Sequence, residues 1–352
     1  MVAPQLSVFA TCPALSSHGV SDYIGRVREA AVWSERHGCS GMLINSDNSK
    51  FDPWLLAQQI LANTSQLRPV VTVLPTYMHP YAAAKMVASL TLMFQRRIDL
   101  NMIAGGFRND LAALNDDLSH DERYARLAEY AIVMQRLFEG GDKVTFDGTY
   151  YQVSSLQLAP AIASELCPRL MMPATSRAGV TLCDQLGALA LGNTVGCGGD
   201  VVAIDRVPRG QRMGLIVRAT DAEAWQAART RFPADRRGST MHKLARSVSD
   251  SHGYRRLAES AERPAAADRV VWMQPLSTCQ AFCPYLVGSY ERVAQRLSRD
   301  LWAGTDTLIL DGPDNEFEMQ HISRALGMVP GIECSPVSGT MGHVPAAAAT
   351  RN

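Results

Sequence analysis

The chain carries no surplus of charge: 34 lysines and arginines face 34 aspartates and glutamates, and only 19% of its residues are charged. A neutral surface exerts no long-range pull on a polyanion, and no basic run interrupts it, so nucleic acid is not the expected partner. Long apolar runs are missing too. No stretch approaches the roughly 20 residues that a membrane span needs. The opening MVAPQLSVFATCPA has neither the basic nor the extended apolar segment of an export signal. A soluble, cytoplasmic protein with a small-molecule partner is expected. The eight cysteines (12, 39, 167, 183, 197, 279, 283, 334) form no Cys-x-x-Cys pair and have no histidine at zinc spacing. Cys279 and Cys283 would share a helix face, but two ligands make no site, so free thiols and no metal are expected.

What is abundant is apolar material, 47% of 352 residues, ample for one large core. Strand and helix patterns alternate. Gln5–Ala10, Gly41–Ile44, Arg68–Leu74 and Ile98–Ile103 read as strands, separated by helices over Ser21–His37, Asp52–Asn63 and Tyr81–Gln95. A helix from His120 to about Phe138 follows, and then Lys143–Val153 alternates about Asp147-Gly148 as a small hairpin. Strands at Pro168–Met172, Ala188–Leu191, Gly214–Ala219 and Thr307–Leu310 alternate with helices at Thr175–Leu186, Asp221–Arg231, Ser289–Leu301 and Asn315–Leu326. Eight strands with helices between most of them predict an α/β chain folded as a (β/α)8 TIM barrel over residues 1–330. Two segments break the rhythm. Residues 192–213 are too rich in glycine for a convincing sixth helix, and residues 233–284 form a long insertion, partly helical at Thr240–Ser249 and Tyr254–Glu262, which reads as a mobile lid. Residues 331–352 read as a disordered tail.

The organising stretch is Arg97–Tyr124. A short strand runs into Ala104-Gly105-Gly106, where backbone can approach a ligand, and His120-Asp-Glu-Arg123-Tyr124 then opens the long helix. Asn101-Met-Ile-Ala104-Gly105 followed by this HDERY run resembles the bacterial-luciferase-like flavin-dependent monooxygenases, on the branch of the alkanesulfonate and long-chain alkane enzymes. With gaps, the resemblance spans about residues 5 to 328.

In such a barrel, chemistry gathers at the C-terminal ends of the strands. At Pro173–Gly179 the hydroxyls of Thr175 and Ser176 stand at a helix start, where unpaired N–H groups and the helix dipole favour an anion, although spacing alone favours an ordinary N-cap. The resemblance implies the FMN phosphate here. It also implies that Tyr124 binds the phosphate with His120 nearby, the two sharing a helix face at i, i+4, whereas from spacing alone they are a capped helix start with a half-buried tyrosine. Asn101, Ala104 and Gly105 would line the flavin ring.

The implied activity is oxygenation of a small organic substrate by reduced FMN and O2 through a flavin C4a-(hydro)peroxide, in a mainly apolar pocket closed by the lid. No GxGxxG nicotinamide fingerprint follows any strand, so reduced FMN is expected from a separate NAD(P)H:flavin reductase. Relatives are commonly homodimers or homotetramers; Met86, Leu90 and Met93 along the third helix mark either an interface or core. A deazaflavin-dependent hydride-transfer enzyme and a non-catalytic flavin-binding paralogue are the alternatives.

The chain departs from the alkanesulfonate branch at groups held to process the sulfonate. Lys50 stands where a cysteine precedes E-D-x-W, Arg212-Met213-Gly214 keeps only the arginine of R-x-H, and Asp311-Gly312-Pro313 replaces S-G-Y-P. Sulfonate is therefore not carried over. Asp47, Asn48 and Tyr77 are expected to bind substrate, with His79, Lys50 and Arg212 as candidate catalytic groups. Histidine is the residue type whose unperturbed pKa lies near neutrality, which makes His79 the leading acid–base candidate, though a histidine before Pro80 also suits a helix cap, and Lys50 also suits a solvated loop. Trp54 and Phe107 read as core or pocket wall.

Overall fold

The computed structural model describes residues 6–15, 20–193, 208–262 and 270–330. In chain order, β1 (Ser7–Thr11), α1 (Val20–Arg36), β2 (Gly41–Ile44), α2 (Pro53–Asn63), β3 (Arg68–Val73), α3 (Pro80–Phe94) and β4 (Asp99–Met102) make the regular first half. After β4 come a short α4 (Arg108–Ala112), the long α5 (His120–Glu139) and the hairpin β5 (Val144–Asp147) and β6 (Gln152–Leu156). The rhythm resumes with β7 (Leu170–Pro173), α6 (Arg177–Gln185), β8 (Leu189–Gly192), β9 (Gly210–Arg218) and α7 (Asp221–Arg231). The insertion holds α8 (Arg236–Val248), α9 (His252–Glu262), β10 (Val271–Trp272) and α10 (Gln274–Ser277). Then β11 (Tyr285–Ser289), α11 (Tyr290–Trp302), β12 (Thr307–Leu310) and α12 (Glu316–Leu326) complete the chain.

Strands β1, β2, β3, β4, β7, β8, β9 and β12 pair in parallel in that order, and β12 returns to β1, so the sheet closes as a (β/α)8 barrel. These are the eight strands expected from sequence. The helices begin where their caps dictate: Asp52 Oδ1 accepts from Trp54 N–H (2.9 Å) before Pro53, and a Ser119–Glu122 capping box starts α5.

Strand alternation sorts the side chains into two cores. Val8, Ala10, Met42, Ile44 and Val71 point out to the helices, while Phe9, Leu43, Val70, Met171, Leu191 and Ile309, one from each of six strands, meet inside the barrel. Two residues further along four of these strands the interior turns polar, at Thr11, Asn45, Thr72 and Asp311, and Asn101 stands level with Thr72. The barrel is thus plugged with hydrocarbon below and presents polar groups at its C-terminal mouth.

Several expectations change in detail. The seventh strand starts at Gly210, four residues before the expected Gly214, because its first half bonds to β8 and β12 and completes the barrel. Its second half, Gly214–Arg218, pairs with β11, an element the sequence pattern concealed at the end of the insertion. A third small core forms there from Ile216, Ala224, Ala228, Phe232, Tyr285 and Val287. Trp54 is core at 2% exposure, Leu90 is buried and Met93 is exposed. Cys12, Cys167, Cys279 and Cys283 are free thiols, Cys279 lies in a positive-φ turn rather than on a helix with Cys283, and no metal-holding cluster occurs among the described residues. No described helix is long and apolar enough to cross a membrane. The glycine-rich segment expected to be irregular falls mostly on residues 194–207, and the tail on 331–352, both outside the described residues.

Candidate functional site

The barrel mouth is built around Arg212. Its Nε donates to Asp311 Oδ1 (3.0 Å) and its Nη1 to Asn45 Oδ1 (3.2 Å), a contact that crosses the barrel from β9 to the end of β2. Burial opposes the charge on Arg212, yet the facing Asp311 carboxylate raises its pKa; in return Arg212 holds the Asp311 carboxyl below its ordinary range against the same desolvation. Tyr285 adds a hydrogen bond to the Asp311 carbonyl (3.2 Å). Across the mouth, Asn101 Nδ2 donates to Thr72 Oγ1 (3.1 Å), while its Oδ1 is buried without a hydrogen-bond partner. A buried amide oxygen left unpaired costs free energy, which a donor on a bound molecule would recover.

Past β4 the chain turns through Ala104, which is buried, and Gly105, held at φ +89; a Cβ there would lie 2.9 Å from Leu111 Cδ2, so the turn requires glycine. The insertion closes over this loop. Asp250 N–H donates to Gly106 O (2.9 Å), Ser249 Oγ donates to the same carbonyl (3.2 Å), and Phe107 makes an antiparallel bridge to Ser249 and an edge contact with Tyr254. Asp250 is the anchor: Arg108 Nε (2.6 Å), Arg123 Nη2 (3.3 Å) and Arg255 Nη2 (3.4 Å) all donate to its carboxylate. Burial pushes the Asp250 pKa up, but Arg108 and Arg123 more than offset this and hold it low.

Between α5, α6 and α9 lies a cavity of about 700 Å³, lined by His120, Tyr124, Ser176, Arg177, His252 and Arg256 among others, while Asn101, Ala104 and Gly105 are not among its lining residues. The capped start of α5 presents His120 and Tyr124 on one face, with ring centroids 4.9 Å apart. Ser176 is the N-cap of α6, its Oγ accepting from Gly179 N–H (3.2 Å), and it faces Tyr124 closely enough to lower the phenol's pKa. Gly179 allows that approach, since a Cβ there would come within 3.1 Å of Tyr124 Oη. Burial raises the Tyr124 pKa against the opposing effects of Ser176 and Arg123, so the tyrosine stays a neutral donor. The free N–H groups of α6, two hydroxyls and two cationic side chains converge on a single space suited to an anion.

Thr175 sits one residue before the cap rather than in the helix, and Arg256 Nη2 donates to its carbonyl. His252 and Arg256 come from α9 and were not singled out from sequence. Their i, i+4 spacing, the same as that of His120 and Tyr124, was the available signal. His252 stacks edge-on against His120 (4.9 Å), and burial, then His120, Arg255 and Arg256, lower its pKa.

The expected substrate group forms a separate cluster at the ends of β2 and β3. Lys50 Nζ donates to Asp47, Tyr77 Oη donates to Asn48 Oδ1 (2.7 Å), and Asn48 Nδ2 donates to Asp110 O (2.9 Å). Burial works against the Asp47 charge, but bonds from Lys50 and Ser49 lower its pKa; burial, Asp47 and Asp110 raise that of Tyr77. His79 lies apart from this cluster. It is exposed, its Nδ1 accepts from Tyr81 N–H (3.1 Å) as the N-cap of α3, and its ring meets Tyr151 edge-on. The structure therefore groups Asp47, Asn48, Lys50 and Tyr77, groups Arg212 with Asp311 and Asn45, and gives His79 the capping contact.

Comparison with known proteins agrees with this architecture. The family model for luciferase-like monooxygenase matches residues 5–193. The 4-(gamma-L-glutamylamino)butanoyl-[BtrI acyl-carrier protein] monooxygenase BtrO of Niallia circulans is 30% identical over 318 residues, 87% of this chain and 92% of that protein. The EDTA monooxygenase EmoA from Chelativorans sp. BNC1 shares the fold with a TM-score of 0.71 at 16% identity, over 95% of this chain and 96% of that one. An F420-dependent secondary alcohol dehydrogenase shares it with a TM-score of 0.66 at 16% identity, over 94% and 99%. With a closed parallel barrel, a family match over more than half its length and a relative aligned along nearly all of it, the chain belongs to the luciferase-like monooxygenase family.

Proposed function

We propose that this protein is a two-component monooxygenase that uses reduced FMN, delivered by a separate NAD(P)H:flavin reductase, and O2 to oxygenate an organic substrate. The observation that carries the reading is the convergence of Tyr124, Ser176, the N-terminus of α6 and Arg256 on one cavity between α5, α6 and α9. These residues fit the phosphate of FMN. The orphaned Asn101 Oδ1 offers an acceptor to a flavin ring N–H, and Gly105 leaves the backbone bare where a planar ring would lie. The reduced cofactor, when bound, supplies the electrons that split O2, one oxygen atom going to the substrate and the other to water.

The chain's own contribution is binding, orientation and exclusion of water. Tyr124 and Ser176 donate to phosphate oxygens, and Arg256 neutralises their charge. The insertion, fastened by Asp250, covers the loop after β4 and keeps the mouth dry. Arg212 fixes Asp311 and Asn45 in the barrel interior, where the substrate's polar groups meet them. The Niallia circulans relative acts on an acyl group held by an acyl-carrier protein. We extend that class to this chain: the substrate is an acyl thioester on a carrier.

The test is anaerobic titration with reduced FMN, monitored by flavin fluorescence, followed by oxygen-electrode measurements with candidate thioesters. Tight binding that weakens in Tyr124→Phe and Ser176→Ala, with substrate-dependent oxygen uptake, supports the reading. Preferential binding of a reduced deazaflavin without oxygen uptake replaces it with hydride transfer. FMN binding with no oxygen use by any thioester assigns a non-catalytic role.

A further inference from the structure

The insertion carries a surface that neither the fold nor the cofactor cavity uses. In α8, Gly238 packs so tightly on α10 that a Cβ would lie 2.2 Å from Thr278 O, and His242, 4% exposed, is hydrogen-bonded to Tyr254 on α9 (3.1 Å). These contacts fix which face of the helix is inward. The outward face presents Met241, 52% exposed, and Leu244, 56% exposed, one turn apart and flanked by exposed Arg236, Arg237 and Lys243. No acidic residue occurs from Arg236 to Ser249. The bordering carboxylates are committed elsewhere, Asp235 capping α8 and Asp250 holding the arginines at the β4 loop. Arg236, Arg237 and Lys243 make no ion pair among the described residues. In a chain of zero net charge, a basic helix face with two bare apolar side chains is a local concentration of one sign.

We propose that this face of α8 is the docking surface for the acidic carrier protein that presents the acyl substrate. This rests on the carrier-bound substrate class proposed above and adds where the carrier sits. The charges steer and orient an acidic helix, and Met241 with Leu244 give the contact its apolar centre. The position suits delivery. The C-terminal end of α8 runs directly into Ser249 and Asp250, which bond to Gly106 at the barrel mouth, so a carrier on α8 stands next to the opening its tethered group must enter. Met241 and Leu244 left uncovered would cost solubility, and a partner of opposite charge is the occupant the rim selects.

The experiment uses the full chain and two probes: phosphopantetheinylated BtrI carrier protein and a generic bacterial fatty-acid carrier protein. Binding is followed by fluorescence anisotropy at low and high salt, with the wild type, a Arg237→Glu/Lys243→Glu variant and a Met241→Ser/Leu244→Ser variant. Saturable binding to at least one carrier, weakened about tenfold or more by each variant and by salt, is expected. Equal affinity of wild type and variants, or no saturable binding to either carrier, overturns the proposal. So does concentration-dependent self-association that the variants abolish, since the face would then join copies of this chain. Titration of each sample with reduced FMN keeps the two readings separate. Unchanged FMN affinity in a variant shows an intact cofactor site, and loss of carrier binding with FMN binding intact is a failure of docking alone.

Discussion

Arg123 and Asp250 lie 127 positions apart in sequence and meet at 3.3 Å, tying the first turn of α5 to the junction of α8 and α9. Arg123 is 2% exposed and also donates to Leu118 O (2.6 Å), so its charge has little water to fall back on. Removing one partner of a buried pair typically costs about 3–5 kcal/mol because the other is left uncompensated. Asp250→Ala is therefore expected to free the insertion while the barrel stays folded. Limited proteolysis should cut residues 233–284 much faster than in the wild type, and an unchanged cleavage pattern would remove Asp250 as the anchor.

The same anchor has an acid limit. Asp250 is held at a lowered pKa, so its contribution to stability is present above the unfolded aspartate value of about 3.9 and is lost as pH falls through the lower folded value. Protease susceptibility of the insertion, read against pH, should rise on the acid side before the barrel's far-ultraviolet signal falls. Coincident loss of both would contradict a separately held insertion.

Flavin phosphate recognition should divide the cofactor forms. Hydrogen bonds to a charged group contribute about 1.5–3 kcal/mol, so Tyr124→Phe and Arg256→Ala should each weaken FMN by roughly tenfold or more and leave riboflavin affinity nearly unchanged. An equal loss for both flavins would mean that these side chains support the ring, not the phosphate.

His252 is expected to make FMN binding pH-dependent. Its pKa is lowered by burial, His120, Arg255 and Arg256, with Asp121 opposing; a bound anion raises it, so binding takes up a proton. Relative to His252→Gln, the wild type should gain FMN affinity as pH falls from about 8 through the histidine range near 6.5. Parallel pH profiles for the two proteins would exclude His252 from the phosphate site.

At the barrel mouth, Arg212→Met would leave Asp311 buried without its partner. The expected destabilisation is about 3–5 kcal/mol, checked by urea unfolding. Asp311→Asn combined with Arg212→Met should recover part of it, because the uncompensated charge is gone. No recovery would show that packing, rather than the ion pair, sets the cost.

The barrel was legible because its strands are short apolar runs spaced by capped helices, and Asp52, Ser119 and Ser176 announce their helices by local hydrogen bonding. His120, Tyr124 and Ser176 were legible as a set only through the resemblance to the flavin-dependent monooxygenases, since spacing alone gave two capped helix starts, and the structure brings them to one cavity. The rest depended on distant contacts. His252 and Arg256 reach that cavity only because Asp250 and Ser249 fasten the insertion to Gly106, and nothing local in the sequence encodes that pairing. Arg212 was visible as a candidate, but Asn45 opposite it was not, since their meeting requires the sheet to close. His79 shows the reverse limit: its next residue, Pro80, was enough to suggest the cap it makes.

Strand β9 leaves the barrel halfway along its length, and β11 lies down beside its second half. The chain therefore departs for the insertion and returns from it on the same strand, and the small core around Phe232 and Tyr285 seals both ends of the excursion together. Everything between them can lengthen, shorten or be exchanged without asking the barrel to change its closure. In evolutionary terms the segment is a cassette with its own socket, which would let one scaffold acquire new substrate partners provided that α9 keeps His252 and Arg256 at the cavity.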